Sequence, residues 1–267
     1  MTKPVIHKSM LGTFDRCPMQ YYFRYVEGIR IPPASAMLAG TGVHRAAEKD
    51  LTAKRDTGSL LAREAVQQAA ADAVNREWDN GGVLLDPAEE LLGEKRIRGE
   101  TVDTAVSLAG LHHDELAPAL NPQHIERPFS VELLGFPVDL AGTIDVQEHG
   151  GIVRDLKTRS ATPPAGLADA SLDLSCYGLA ARALDGAAPV KLAMDFLVKT
   201  KAPKLVTQTT TRGDAAYRAF LLRVEAVSRA IESGAFPPCS PENWCCSPKW
   251  CGYWGRCPFG AAASVTG

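Results

Sequence analysis

The stretch from Gly142 to Thr158, GTIDVQEHGGIVRDLKT, sets two short apolar runs on either side of EHGG and reads as a β-hairpin whose strands carry acids. Side chains alternate along a strand, so Asp155 and Lys157 leave one face of the sheet and Leu156 leaves the other. Asp145, on the first run, falls within about one residue of facing Asp155 across the turn. Each charge taken alone is most simply an edge-strand residue. Two carboxylates held this close repel each other, however, and a divalent cation between them relieves the repulsion. Hard oxygen ligands favour magnesium or manganese. Lys157 stands where it can position or activate a water against an anionic centre such as a phosphate.

Composition constrains the rest. The 267 residues include 45% hydrophobic side chains, enough for a buried core in one domain. No apolar run approaches the about 18 residues of a membrane helix, and MTKPVIHKSM lacks the apolar centre of a secretory signal, so a cytosolic protein with no membrane partner is expected. The formal net charge of -2 gives no global attraction for nucleic acid. Any contact with nucleic acid would therefore have to rest on local basic residues, with Lys157 and Arg159 near the hairpin and Lys199, Lys201 and Lys204 on later strands as the candidates.

Cysteine usage is uneven. Cys17 and Cys176 stand alone, whereas Cys239, Cys245, Cys246, Cys251 and Cys257 crowd into PPCSPENWCCSPKWCGYWGRCPFG. In a reducing compartment such crowding argues for metal ligation over disulfides. The tail has no CxxC pair of the kind that structural zinc sites use. Four and five residues separate Cys246, Cys251 and Cys257, a spacing that suits an iron-sulfur cluster at least as well as zinc. A cubane cluster takes four thiolates, and Cys17 in SMLGTFDRCPMQYYFRYVEG is the natural fourth, on a helix capped by Ser9 with Pro18 marking a start or kink.

Elsewhere the periodicities predict a helix from about Gly42, an alanine-rich helix through LLAREAVQQAAADAVNREWDN, and a helical region from about Ala88 to Leu116. Extended patterns begin at Ile125, continue through the hairpin and return after a helical interval in VKLAMDFLVKT and KLVTQTTT. A last helix, AAYRAFLLRVEAVSRAIESG, stops near Gly234 before the tail. This order argues for a single α/β domain with an added cysteine-rich C-terminal tail.

GTID followed by DLKT resembles the core of the PD-(D/E)XK nuclease superfamily, in which an acid on one strand precedes an acid-x-Lys triplet on the next. CPMQYYFRY, GTGVH and the terminal cysteines resemble its RecB-like branch, which includes AddB-type recombination nucleases, CRISPR adaptation nucleases and phage exonucleases with an iron-sulfur cluster. The resemblance runs from about Ser9 to Phe259. It implies a restriction-endonuclease-like α/β fold, a central mixed β-sheet flanked by helices, with residues 1–267 as one nuclease domain. It makes Asp145 and Asp155 metal-binding carboxylates and Lys157 the catalytic lysine, with Leu156 lending its backbone carbonyl and His44 a further ligand. Glu48, one turn after His44, reads as a solvated charge. Tyr177 joins the catalytic residues as the DNA-contacting tyrosine of a downstream Gln-x-x-x-Tyr motif, with Asp173 in place of the glutamine. The resemblance also assigns a [4Fe-4S] cluster to Cys17, Cys246, Cys251 and Cys257. That cluster would join the N-terminal helix (about 9–27) to the tail (about 239–259). Cys245 beside Cys246 leaves a one-residue ambiguity, and Cys176, Cys239 and Cys245 read as incidental thiols.

The expected function is a Mg2+- or Mn2+-dependent deoxyribonuclease, an exonuclease or end-processing enzyme of recombination, repair or phage DNA metabolism. Its substrate would be single-stranded DNA or DNA with free ends, its companion a helicase or recombination protein, and its place the cytosol of a bacterium or phage-infected host. The alternatives are a DNA-binding scaffold that kept fold and cluster without cleavage, and an unrelated zinc protein with a fortuitous D-x-K strand.

Overall fold

The computed structural model describes residues 3–260. Its first strand, β1 (Val5–His7), was not visible in the sequence patterning, and it decides where the following helix begins. Helix α1 (Lys8–Arg16) starts directly from the strand with His7 at the N-cap, so Ser9 lies in the first turn and is not the cap. Cys17 is extended (φ -162°, ψ 111°), as expected of a residue whose successor is proline. Pro18 then opens α2 (Pro18–Tyr21), which runs into a single π-turn, Tyr22–Val26. The one helix predicted for about 9–27 is thus broken in two at its cysteine.

The helical layer forms as the periodicities require. Helix α3 (Ser35–Thr57) starts earlier than the predicted Gly42. Its glycines serve close approach instead of ending the helix: a Cβ on Gly42 would lie 2.7 Å from Val74 and 2.9 Å from the Ala70 carbonyl. Helix α4 (Arg63–Gly81) packs there, followed by α5 (Pro87–Leu92), α6 (Glu94–Leu111), a π-turn at His112–Leu116 and a 3-10 turn at Ala117–Ala119. Gly93, at φ 83°, divides α5 from α6 within the helical region predicted for Ala88–Leu116. Leu38, Ala46, Ala70, Val74, Trp78 and Ala105 fill the space between α3, α4 and α6.

The remaining chain supplies β2 (Pro122–Val131), β3 (Asp139–Glu148), β4 (Ile152–Arg159), α7 (Leu167–Ala170), α8 (Leu172–Asp185), β5 (Lys191–Val198), β6 (Lys204–Thr210) and α9 (Asp214–Glu232). The sheet is mixed and six-stranded, in the order β1-β3-β4-β5-β6 with β2 also on β3. Pairing is parallel for β1–β3 and β4–β5 and antiparallel elsewhere. One face packs against α1, α8 and α9 through Leu11, Leu174, Phe220 and their neighbours. The other packs against α3 and α6 through Val43, Leu51 and Leu108.

Strand β3 is where the order of the sheet is interrupted. One edge pairs with β2 along most of its length, from Leu140 to Glu148. The other edge is divided: β1 takes Asp139–Ala141 and β4 takes Val146–Glu148, leaving Gly142 to Asp145 between them. The inside-outside alternation breaks at the same place. Ile144 lies in the core on the α8 side, while Val146, two residues on, packs with Leu156 and Leu197 on the α3 side. Opposite the break, Glu126 on β2 has φ 47°, the one non-glycine residue in the left-handed region among those described.

Because the nearest atom beyond Val74 at Gly42 is a backbone carbonyl that cannot rotate away, Gly42→Val should overpack the α3–α4 contact. The expected cost is about 1–3 kcal/mol, or roughly 2–4 °C of melting temperature per kcal/mol for a domain of this size. A thermal melt of the purified variant checks this; an unchanged midpoint would contradict the close packing.

Candidate active site

The interruption in β3 is lined with charge from both sides of the sheet. On the α3 side, His44 projects from the helix, Glu126 from its kinked position on β2 and Asp145 from β3. Their ligand atoms all lie within 4.8 Å of one another, close enough to share one ion. Asp145 Oδ2, 3.7 Å from His44 Nδ1, also accepts the backbone N–H of Leu156 at 2.9 Å. A side chain thus takes the place of a ladder bond and holds the two strands apart. The Leu156 carbonyl attracts the His44 ring. Burial lowers the His44 pKa, with Lys157 adding to the effect and Asp145 opposing it, which favours the neutral, ligating imidazole.

Sequence reading missed Glu126. Its only sequence signal was an acid inside the half-buried run IERPF, and the backbone twist that aims it at the site leaves no trace in residue type. Burial pushes its carboxyl up to about 7, with Asp145 and Glu48 adding to the shift. Glu48 pairs with Arg45 at 2.8 Å, as a surface charge would, while also lining the inner wall of the site.

On the α8 side stand Asp155 and Lys157, one above the other on β4 as the alternation requires. The Lys157 ammonium lies 2.9 Å from each oxygen of Asp155, but only Oδ1 receives it in hydrogen-bonding geometry. Oδ2 is buried without a hydrogen-bond partner. Burial raises the Asp155 pKa to about 6; Lys157 opposes this and Asp145 adds to it. Burial alone would lower the Lys157 pKa, but Asp155 and Asp173 outweigh it and raise it above the usual lysine value. Asp173, one turn before Tyr177 on α8, accepts from Lys157 at 3.1 Å and pairs with Lys8 at 2.9 Å. Lys8 donates to the Tyr177 hydroxyl at 3.2 Å. Tyr177 is 3% exposed, so it backs this cluster from within the core instead of facing the opening. Lys8 was also missed, because only β1 brings it here.

Beneath the site Arg154, on the opposite face of β4 from Asp155, donates to Glu148 at 2.5 Å and to Asp195 at 3.0 Å, fastening β4 to its neighbours. The opening is a groove bounded by Met37, Gly40, Arg45 and Lys157.

A family model for the PD-(D/E)XK nuclease superfamily matches residues 8–258. The chain belongs to the PD-(D/E)XK nuclease superfamily. Its members use divalent metals, and the His44, Glu126 and Asp145 donors form a possible acidic site for one. Among solved structures, the chain resembles "Putative exonuclease" from Eubacterium rectale at TM-score 0.57 and 15% identity, over 91% of this chain and 87% of that one. A second, SSO0001, aligns at TM-score 0.42 and 14% identity over 97% of this chain and 87% of that one, too distant to carry an argument. No curated protein matches significantly. The fold is restriction-endonuclease-like, a mixed sheet between helical layers, with cysteines gathered in the C-terminal region.

Those cysteines meet the first helices. A small chamber is lined by Cys17, Cys239, Cys245, Cys246, Cys251 and Cys257, closed by Phe23, Tyr253 and Trp254. Cys239 donates its N–H to Cys17 Sγ at 3.4 Å, and its own Sγ lies 3.7 Å from that of Cys245. Cys239 and Cys245, which the resemblance left out of the ligand set, therefore share the chamber with the four assigned thiols. Cys176 lies apart, buried against the sheet on α8, with its pKa raised to about 12 by burial. Gln20 donates to Cys251 at 3.3 Å, Tyr253 donates to the Ile29 carbonyl at 3.0 Å, and Phe23 stacks on Tyr253 at 5.2 Å.

Glu126 and Asp155 keep protons in the folded, metal-free protein at pH values where the unfolded chain has lost them, so metal-free stability should fall as pH rises from about 4 to about 7. A divalent ion held by the ionised carboxylates would offset that loss. Mg2+ or Mn2+ should therefore raise the unfolding midpoint more at about pH 8 than at about pH 5.5. Equal shifts at both pH values would contradict the assignment of raised carboxyls to the metal site.

Proposed function

We propose that the chain is a divalent-metal-dependent deoxyribonuclease of RecB-like type, an exonuclease or end-processing enzyme acting in recombination, repair or phage DNA metabolism. The observation that carries this reading is the convergence of His44, Glu126 and Asp145 beside the Asp155–Lys157 pair at the interrupted edge of β3. The donor set fits a hard ion: a neutral imidazole, carboxylates, the Leu156 carbonyl and the unpartnered Oδ2 of Asp155. Mg2+ or Mn2+, when bound, supplies Lewis acidity toward a phosphate and lowers the pKa of water. The chain's own residues do the remainder. His44, Glu126 and Asp145 would hold the ion, with Asp155 and the Leu156 carbonyl as further ligands beside them. Lys157, kept protonated by two carboxylates, acts as a fixed cation and hydrogen-bond donor to the scissile phosphate or attacking water.

The substrate class we favour is a single strand or a free end. From the opening, a groove passes Ala36 and Thr158 and continues over Thr104, Arg159, Ser160 and Lys199 to Trp250, which is 53% exposed. Glu89 and Glu100 also line the groove, so Arg159 and Lys199 are the groups that would meet a backbone, and with the exposed Trp250 indole for stacking they suit unpaired nucleotides. Lys201 and Lys204 are exposed and lie outside the residues lining this groove. A cytosolic location and a helicase or recombination partner accompany this reading. A silent DNA-binding scaffold is the second reading, and the intact Asp145, Asp155 and Lys157 count against it.

We also assign the chamber to a [4Fe-4S] cluster held by Cys17, Cys246, Cys251 and Cys257, joining the N-terminal helices and the tail into one nuclease domain, with Cys245 the competitor of Cys246. The wider thiol spacing and aromatic closure support this reading. Cys251→Ala should abolish the brown colour and iron content of anaerobically purified protein and lower its melting temperature. Full iron content in that variant would remove Cys251 from the ligand set.

The decisive measurement is cleavage of end-labelled single-stranded, duplex and circular DNA with Mg2+ or Mn2+. Asp145→Ala and Asp155→Ala should fold and not cleave. Lys157→Ala should lose about 10²- to 10⁴-fold in rate while keeping more of its metal affinity than the aspartate variants. Undiminished cleavage by folded Asp155→Ala would overturn this assignment of the catalytic site. On the same substrates, Trp250→Ala should weaken single-strand affinity, with the loss about 1–3 kcal/mol if a base stacks there, and binding should fall steeply with salt.

A further inference from the structure

One cluster at the site remains unused by this mechanism. Asp173 Oδ2 is shared by two ammonium groups, Lys157 at 3.1 Å and Lys8 at 2.9 Å. Lys8 also donates to the Tyr177 hydroxyl at 3.2 Å and stands 5.1 Å from the centre of its ring. None of the three charged side chains is more than one-third exposed. Their charges therefore act on one another with little screening.

The delivery of Lys8 is built into the sheet. Strand β1 pairs His7 with Ala141, which places Lys8 at the start of the unpaired interval of β3. Gly142 lies below it: a Cβ there would stand 3.5 Å from the Cβ of Lys8 and within 2.6 Å of the Phe129 ring. Asp173 and Tyr177 come from one face of α8, and Ser171 caps that helix by accepting the Leu174 N–H at 3.2 Å. Three separate elements thus converge on a single carboxylate.

Charge balance gives the cluster its purpose. Lys157 alone faces two carboxylates, Asp155 and Asp173, and Asp173 stands where the motif it resembles has a neutral glutamine. An uncompensated Asp173 would set an extra negative charge against a phosphodiester. We propose that Lys8 is a positioning residue of the active site: it neutralises Asp173, so that Asp173 can hold the Lys157 ammonium in place without repelling the substrate phosphate. This rests on the nuclease reading of the same site. The function of the missing glutamine is divided between two residues, and either one without the other is worse than neither.

The test is a double-variant cycle on the full chain with Mg2+, using Lys8→Met, Asp173→Gln and their combination, and reading kcat and KM on labelled single-stranded DNA together with the melting temperature. Lys8→Met should lower kcat by about 10-fold or more and also raise KM, and Lys8→Met/Asp173→Gln should recover both to within about threefold of the unaltered protein, the coupling expected of contacting charges. Lys8→Arg should keep more activity than Lys8→Met and covers the case in which the methionine variant folds poorly. A double variant as slow as Lys8→Met, or a Lys8→Met enzyme with full kcat, overturns the proposal alone. No cleavage by the unaltered protein with either metal overturns the nuclease reading and the proposal with it.

Discussion

The hydrogen bond from the Leu156 N–H to the Asp145 carboxylate is the contact on which the rest of the site depends. An amide on a central strand normally donates to its neighbour's carbonyl, and leaving it unpaired in the interior costs about 1–3 kcal/mol. Here a side chain takes that role. The exchange keeps β3 and β4 apart beyond Val146, opens the sheet where Lys8 enters and fixes the Asp145 carboxylate beside His44. Glu126, twisted into the left-handed region on the far side of β3, makes the same interval accessible from the other edge. A continuous ladder would have buried these groups between strands.

Around that opening, the energetics of charge explain why so many acids can coexist. Burial raises the carboxyls of Glu126 and Asp155, whereas Asp173 has two ammonium partners that outweigh burial and lower its pKa. The two sides of the sheet therefore hold different kinds of carboxyl. The α3 side is short of positive charge and suited to a cation from solution. The α8 side is neutralised internally by lysines. Lys157 stands at the boundary, fixed to Asp155 on its own strand and to Asp173 across the gap.

Much of this was legible in the sequence because it is local. The EHGG turn, the two-residue alternation that sends Asp155 and Lys157 the same way, and the helical periods of α4 and α9 all depend on neighbours in the chain. What was not legible depends on distant partners. Strand β1 is three residues long and forms because β3 offers it an edge, and with it came the true start of α1 and the placement of Lys8. Glu126 reaches the site through an unusual backbone angle that residue type does not announce. The early start of α3 was hidden because glycines that permit close packing look the same in sequence as glycines that end helices. In the tail, the family resemblance set aside Cys239 and left Cys245 as the rival of Cys246, and the fold returns both to the wall of the chamber around Cys17.

That chamber also bears on the order in which the protein assembles. Its walls come from residues 17–23 and 238–260, so it closes a loop of more than 200 residues. Every group that lines the catalytic opening and its inner wall has been synthesised by the end of β5, while the chamber waits for the tail. During translation the catalytic half is therefore complete in sequence before the clasp that ties its first helices to the tail exists. The chain passes through an interval in which its chemistry is encoded but its ends are not yet joined.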